Sequence, residues 1–215
     1  MGPNADLSVL GVPATPTFEN PGGPPIDLYF ESAARHRKVT QDLFAPECDP
    51  GSYFMDLLSR MSGGRPATVA ADANGRGFAP CTVRSLPEGQ RIILHNDFYH
   101  FKLPVYQDVV SSLDARINLS FFVTLQAPEG GGEFVAHGLS HEDPEPMLPN
   151  GLPDAEVIKK RYTSKVLPLG TGDVIIVAAG KLYHQVTPVV GPLPRITMGG
   201  FFAFDRGHEK VVYWS

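Results

Sequence analysis

The sequence predicts a mainly β fold, a double-stranded β-helix or jelly roll with N-terminal helices packed on one sheet, and three observations carry it. From about residue 67 the chain breaks into many short β-patterned segments. Glycine and proline, 22 and 21 residues of the 215, cluster between those segments as punctuation. The stretch ahead of them has helical spacing instead. Many short strands separated by Gly/Pro turns, with helices available to cover one face, argue for a sandwich or barrel with a helical flank. A single domain over 1–215 is expected, with an extended arm over 1–26, a helical flank over 27–66 and a β core over 67–215.

The arm ends in NPGGPPID. After it, LYFESAARHRKVTQDLF, residues 28–44, has helical spacing in Leu28, Val39 and Leu43. DPGSYFMDLLSRMSGG carries better helix signals: Asp49 can cap, Pro50 suits the first turn, Leu57, Leu58 and Met61 form a stripe, and Gly63 can close the end. The strand candidates follow as ATVAAD, FAPCTVRSL, RIILHND, RINLSFFVTLQ, GEFVAHGL, YTSKVLPL, DVIIVAAG, HQVTPVV and RITMGGFFAF, with VVYWS as a last edge. Between GEFVAHGL and YTSKVLPL lies a polar, proline-rich segment, 138–161. A structureless loop of that length is uncommon in a compact domain unless functional, so it is expected to act as a lid.

Composition excludes several classes of protein. With 42% hydrophobic and 19% charged residues and a formal charge of -5, the chain has no nucleic-acid footprint. Cys48 and Cys81 are too few for a disulfide framework and lie in no metal-ligand spacing. The N-terminus lacks a basic n-region and a full h-region, and no run is long enough to span a bilayer. A cytoplasmic enzyme or binding module with a small-molecule partner is the expectation.

Chemistry concentrates in two stretches. In RIILHNDFYH, His95 and Asp97 are two positions apart, so on a strand they project from one face. In the second half of the chain, a buried strand leads through Gly180 to His184. Two imidazoles and one carboxylate form a facial triad that leaves the opposite side of a metal open, as in non-haem Fe(II) oxygenases. A catalytic zinc set uses the same residue types, and spacing does not separate the two. Eleven residues beyond His184 stands Arg195, followed by Thr197 on the same strand face. An inward Arg is costly without an anion, and a guanidinium fork beside a hydroxyl suits a carboxylate.

Taken in order, His95-Asn96-Asp97, the Gly131-Gly132-Glu133 stretch, His184 and Arg195-Ile196-Thr197 resemble the Fe(II)/2-oxoglutarate-dependent oxygenases over roughly residues 78–205. The resemblance is greatest to small bacterial enzymes of amino-acid or natural-product metabolism, whose relatives include aliphatic halogenases. It implies Fe(II) held by His95, Asp97 and His184, with 2-oxoglutarate as cosubstrate gripped by Arg195 and Thr197. It implies O2 as oxidant, and hydroxylation or another C–H oxidation with release of succinate and CO2. The halogenases have Gly or Ala where Asp97 stands, so hydroxylation is favoured here. The family also places a polar group on the strand of Asn118 near the oxoglutarate, which makes Asn118 a candidate against its plain reading as an outward polar residue.

Arg84 and Arg116 are weaker pocket candidates, because surface arginines are commoner. His100 follows the motif closely enough to stand behind it. His137 is at the rim at most, and His141 and His208 read as loop residues. Two other functions remain open on the sequence: a cupin-like metal enzyme without 2-oxoglutarate, which leaves Arg195 unexplained, and a non-catalytic jelly-roll ligand-binding module, which predicts an eroded ligand set.

Overall fold

The computed structural model describes residues 8–10, 26–114, 116–144, 146–149 and 153–215. Helix α1 spans Ile26–Phe44 and buries Tyr29, Phe30, Ala33, His36 and Thr40. Leu28, Val39 and Leu43, which carried its sequence pattern, face solvent instead. Burying an aromatic removes more apolar surface from water than burying a leucine, so the Tyr29 and Phe30 face turns inward. Helix α2, Pro50–Met61, starts as expected: the Asp49 side chain accepts from the Gly51 and Ser52 amides, and Pro50 occupies the first turn. Gly63 closes the far end at φ +81°, a conformation that favours glycine. Its buried side chains include Phe54 and Leu58, whereas Met61 is exposed.

The strands are β1 (Ser8–Leu10), β2 (Ala67–Val69), β3 (Thr82–Leu86), β4 (Ile92–His95), β5 (Leu119–Gln126), β6 (Gly130–Gly131), β7 (Phe134–Ser140), β8 (Ser164–Leu167), β9 (Val174–Val177), β10 (Leu182–Val186), β11 (Val189–Val190), β12 (Arg195–Phe204) and β13 (Val211–Trp214). A large sheet runs β1-β3-β12-β13-β2, with β5 bridging β12 to β9. A smaller sheet runs β4-β10-β7-β8, and β6 pairs with β11. The ladders are antiparallel apart from β13 with β2. This is the jelly-roll arrangement of two facing sheets. Of the expected arm, only Ser8–Leu10 and Ile26 fall within the described residues, and Ser8–Leu10 pairs as an edge strand with β3.

Each outer face has its cover. Phe54 and Leu58 of α2 pack on Phe121, Met198, Phe202 and Tyr213 of the large sheet. On the small sheet, Ile158 packs against Leu94, Leu139 and Tyr183. That residue belongs to helix α4, Ala155–Arg161, which follows the short α3, Gln107–Ser111. The segment 138–161 is therefore not structureless. Asp154 caps α4 from its N-terminus, and three basic residues close its last turn, helix signals that the nearby prolines obscured.

Between the sheets, Leu86, Phe134, Val186 and Val189 form one apolar cluster. Tyr29, Phe30, Phe78, Phe101, Tyr106 and Trp214 form another. A cavity of about 600 Å³, part of it open to solvent, touches both: Phe134 and Val186 on one side, Phe201 on the other. Among the described residues, no helix is long and apolar enough to cross a membrane.

Candidate metal centre and its cavity

Strands β4 and β10 are neighbours, and their register sets His95 directly opposite His184. The two rings have centroids 4.3 Å apart. Farther along, Ile92 pairs with Val186, so three steps on β4 oppose two on β10. That extra residue is a bulge, and through it both Ile92 and His95 line the cavity, which a regular pleat would forbid. The strand ends at His95. Asp97 opens a 3-10 helix, Asp97–Lys102, capped by Asn96, whose side chain accepts from the Phe98 amide at 3.1 Å. The expectation that His95 and Asp97 share a strand face thus gives way to a strand end plus a turn, and the two side chains still converge.

Ligand atoms of His95, Asp97 and His184 all lie within 4.8 Å of one another. His95 Nε2 is 3.4 Å from Asp97 Oδ1, and His184 Nε2 is 3.8 Å from Asp97 Oδ2. Each imidazole is tied by Nδ1 to a backbone carbonyl, His95 to Ile93 at 2.7 Å and His184 to Leu182 at 3.0 Å. Donation from Nδ1 leaves the Nε2 lone pair of each ring aimed at the shared point, which is how metal-binding histidines are oriented. The donor set, its geometry and the tautomers fit a divalent metal with an open side.

Asp97 is held by β5 and by the residue just before that strand. Ser120 Oγ donates to Asp97 Oδ2 at 2.6 Å, and Asn118 Nδ2 donates to the Asp97 carbonyl at 3.1 Å. Burial disfavours the charge on Asp97, but the His184 and His95 imidazoles outweigh it and hold the carboxyl well below the usual range. Burial, reinforced by His95, lowers His184 to about 4. His100 stands beside the motif with Nε2 3.9 Å from Asp97 Oδ1 and its ring against Phe201, and burial lowers it to about 4 as well.

The other end of the cavity is cationic. Arg195 and Thr197 both line it and are only 4% and 6% exposed. Arg195 Nη2 is buried without a hydrogen-bond partner, and its guanidinium carbon lies 5.3 Å from the centre of the Phe122 ring. Burial, with Arg84 adding to it, pulls the Arg195 pKa down to about 10. The Gly131-Gly132 pair has a physical role here. A Cβ on Gly132 would sit 3.1 Å from Arg195 Cδ, and one on Gly131 1.9 Å from the Pro188 carbonyl oxygen. Glycine lets the turn close over the Arg195 stem.

Arg84 lies opposite Thr197 in the β3–β12 ladder and lines the same cavity. Several other candidates are placed elsewhere. Asn118 is buried behind Asp97 rather than among the lining residues. Arg116 is on the surface, paired with Asp114 at 2.7 Å. His137 is buried on the outer face of β7, with Nδ1 2.9 Å from Ser164 Oγ. His141 stacks on Phe98, and His208 Nε2 is 2.9 Å from Asp114. Sequence reasoning passed over Ser120, although strand alternation from Asn118 pointed at it. The apolar wall of Ile92, Phe122, Phe134, Val177 and Val186 left no signal apart from ordinary core composition.

One family model matches the chain, described as carrier-protein-independent halogenase WelO5, over residues 23–215. No curated protein matches in sequence. Among solved structures, the fold is similar to an N-substituted L-amino acid dioxygenase from Burkholderia ambifaria AMMD, with a TM-score of 0.55 and 14% identity, covering 89% of this chain and 73% of that one. The same enzyme in complex with alpha-KG gives a TM-score of 0.50 at 14% identity and the same coverage.

Proposed function

Because the chain belongs to the carrier-protein-independent halogenase WelO5 family and is a non-haem Fe(II)/2-oxoglutarate-dependent enzyme, we propose that it hydroxylates or otherwise oxidises an unactivated C–H bond of a small polar metabolite, an amino acid or a natural-product intermediate. One observation carries the choice of outcome: the Asp97 carboxylate stands beside the two imidazoles with Ser120 fixing one of its oxygens at 2.6 Å. The protein thus supplies three metal ligands, and the position that a halogenase of the resembled kind leaves for a halide is filled.

His95, Asp97 and His184 would hold the iron, and Arg195 and Thr197 would take the distal carboxylate of 2-oxoglutarate. The buried Nη2 of Arg195, with no partner of its own, supports that role. When bound, iron and 2-oxoglutarate supply the oxidant from O2, with release of succinate and CO2. The chain's own work is to hold that set in one geometry and to keep water away with the Phe122, Phe134, Val177 and Val186 wall. The unpartnered Arg195 also argues against a metal enzyme that does not use the cosubstrate.

Halogenation is the second reading, favoured by the family match itself. Anaerobic addition of Fe(II) and 2-oxoglutarate should give a weak visible charge-transfer band. Substrate-dependent succinate release, screened first on N-substituted amino acids because the Burkholderia enzyme acts on such compounds, should then identify a substrate. With chloride or bromide present, the product should carry oxygen and no halogen. A mainly halogenated product would overturn the proposal.

A further inference from the structure

We propose that Arg84 is a second anion-binding residue of the cavity, one that receives a carboxylate carried by the substrate, so that the metabolite oxidised is an acid. The inference rests on the function proposed above and narrows its substrate class. Register places Arg84 directly across from Thr197, so its side chain shares the inner face with the two residues assigned to the cosubstrate. Three other arginines are paired with carboxylates, Arg76 with Asp72 and Asp27, Arg60 with Asp56 and Arg116 with Asp114. Among the described residues, no carboxylate is within ion-pair distance of Arg84 or Arg195.

Asp97 acts on Arg84 only across space. Its oxygens are committed, Oδ2 to Ser120 and Oδ1 toward His95. His95, His100 and Arg195 all feel the Arg84 charge as repulsion. Formal charge completes the argument. Iron brings two positive charges, and 2-oxoglutarate cancels them with its two carboxylates. Asp97 cancels one of the two guanidiniums, and one positive charge remains in the cavity. A substrate carboxylate neutralises it, and a bidentate grip on a carboxylate is what the guanidinium fork does best.

Acetate is the probe, with acetamide as its uncharged match, added to anaerobic protein loaded with Fe(II) and 2-oxoglutarate. For the wild type, acetate should bind saturably and raise the melting temperature while the charge-transfer band persists, and acetamide should do neither. Arg84→Met should weaken acetate at least tenfold and leave the half-saturating 2-oxoglutarate concentration within threefold. Arg195→Met should weaken 2-oxoglutarate instead. Without any ligand, Arg84→Met should melt no lower than the wild type, because it removes an unpaired charge; a structural arginine would show a fall. The inference is overturned if Arg84→Met weakens 2-oxoglutarate tenfold or more, which would make it a cosubstrate residue. It is overturned equally if acetate has no saturable effect or stabilises Arg84→Met as it does the wild type. Absence of the band in wild-type protein would strike the proposed function rather than this inference.

Discussion

The two ends of the cavity are built on opposite plans. At the end where the two imidazoles and Asp97 meet, each group has a hydrogen-bond partner: each imidazole is anchored to a backbone carbonyl, the Asp97 carboxylate accepts from Ser120 and the Asp97 carbonyl accepts from Asn118. At the cationic end, Arg195 and Arg84 line the cavity with no carboxylate among the described residues to meet them, and one Arg195 nitrogen is buried with no hydrogen-bond partner among them. The first end is preorganised, and binding a metal there requires little rearrangement. On the proposed reading, the second holds unpaired positive charge that a bound anion would relieve, so ligand binding and stability should be coupled more strongly there.

Removing Asp97 breaks the comparison most completely. Asp97→Ala deletes the charged ligand and is expected to reduce product formation to background, while the β4 apolar residues keep the fold. Wild-type turnover at saturating iron would mean that the triad is wrongly assigned. Next in size is Arg195→Ala. Truncating one member of a buried charged pair costs on the order of 2–5 kcal/mol, so the cosubstrate requirement should rise by roughly 30-fold to several thousand-fold. Lys at this position should restore part of the loss, since it has the charge without the fork. An unchanged 2-oxoglutarate dependence in the Ala variant would assign Arg195 to structure or substrate.

Ser120→Ala tests the preorganised end more gently. Losing a group that orients a metal ligand typically costs about 10–100-fold in metal affinity or activity. Iron titration followed by the charge-transfer band measures it, and an affinity equal to wild type would show that Asp97 needs no orienter.

The smallest effect is on stability against pH in metal-free protein. His184 and His100 are lowered to about 4 by burial, and His36 is lowered in the same direction for the same reason. A histidine depressed in the folded state stabilises the fold above its unfolded pKa and loses that contribution as pH falls toward the folded value. Burial opposes the charge on His95, but its hydrogen bond and attraction to Asp97 raise it above its usual value, a contribution of opposite sign. Melting temperature should therefore decline between about pH 6.5 and 4 by the balance of the three depressed histidines over His95, and saturating Fe(II) should blunt the decline by holding His184 unprotonated. A flat profile across that window would show that these histidines are not buried as neutral bases.

Much of this architecture is legible in the sequence because it is local. Asp49 with Pro50, the Gly/Pro punctuation and the apolar alternation of RITMGGFFAF are short-range signals, and each element they marked is present. His95, Asp97, His184, Arg195 and Thr197 line one cavity because ordered strands, and for Asp97 the turn just after one, bring them together. What the sequence hid depends on partners distant along the chain. The inward face of α1 is chosen by Phe78 and Trp214, and Arg116 is drawn outward by Asp114. Asn118 is turned to the Asp97 carbonyl by a neighbour that alternation does not specify. Helix α4 was masked by prolines that lie before it rather than in it.

The bulge in β4 bears on how this protein can change length. Three steps on one strand now match two on the other, and Ile92 and His95 face inward together only for that reason. Losing the residue Ile93 would straighten the strand into a regular pleat, and in that pleat Ile92 and the histidine would again share a face. A deletion at this point therefore leaves the imidazole opposite His184, while a deletion one strand over, in β10, would turn His184 away from its neighbour. Tolerance to lost residues is thus unequal between the two strands that carry the histidines: β4 has a residue to spare, and β10 has none.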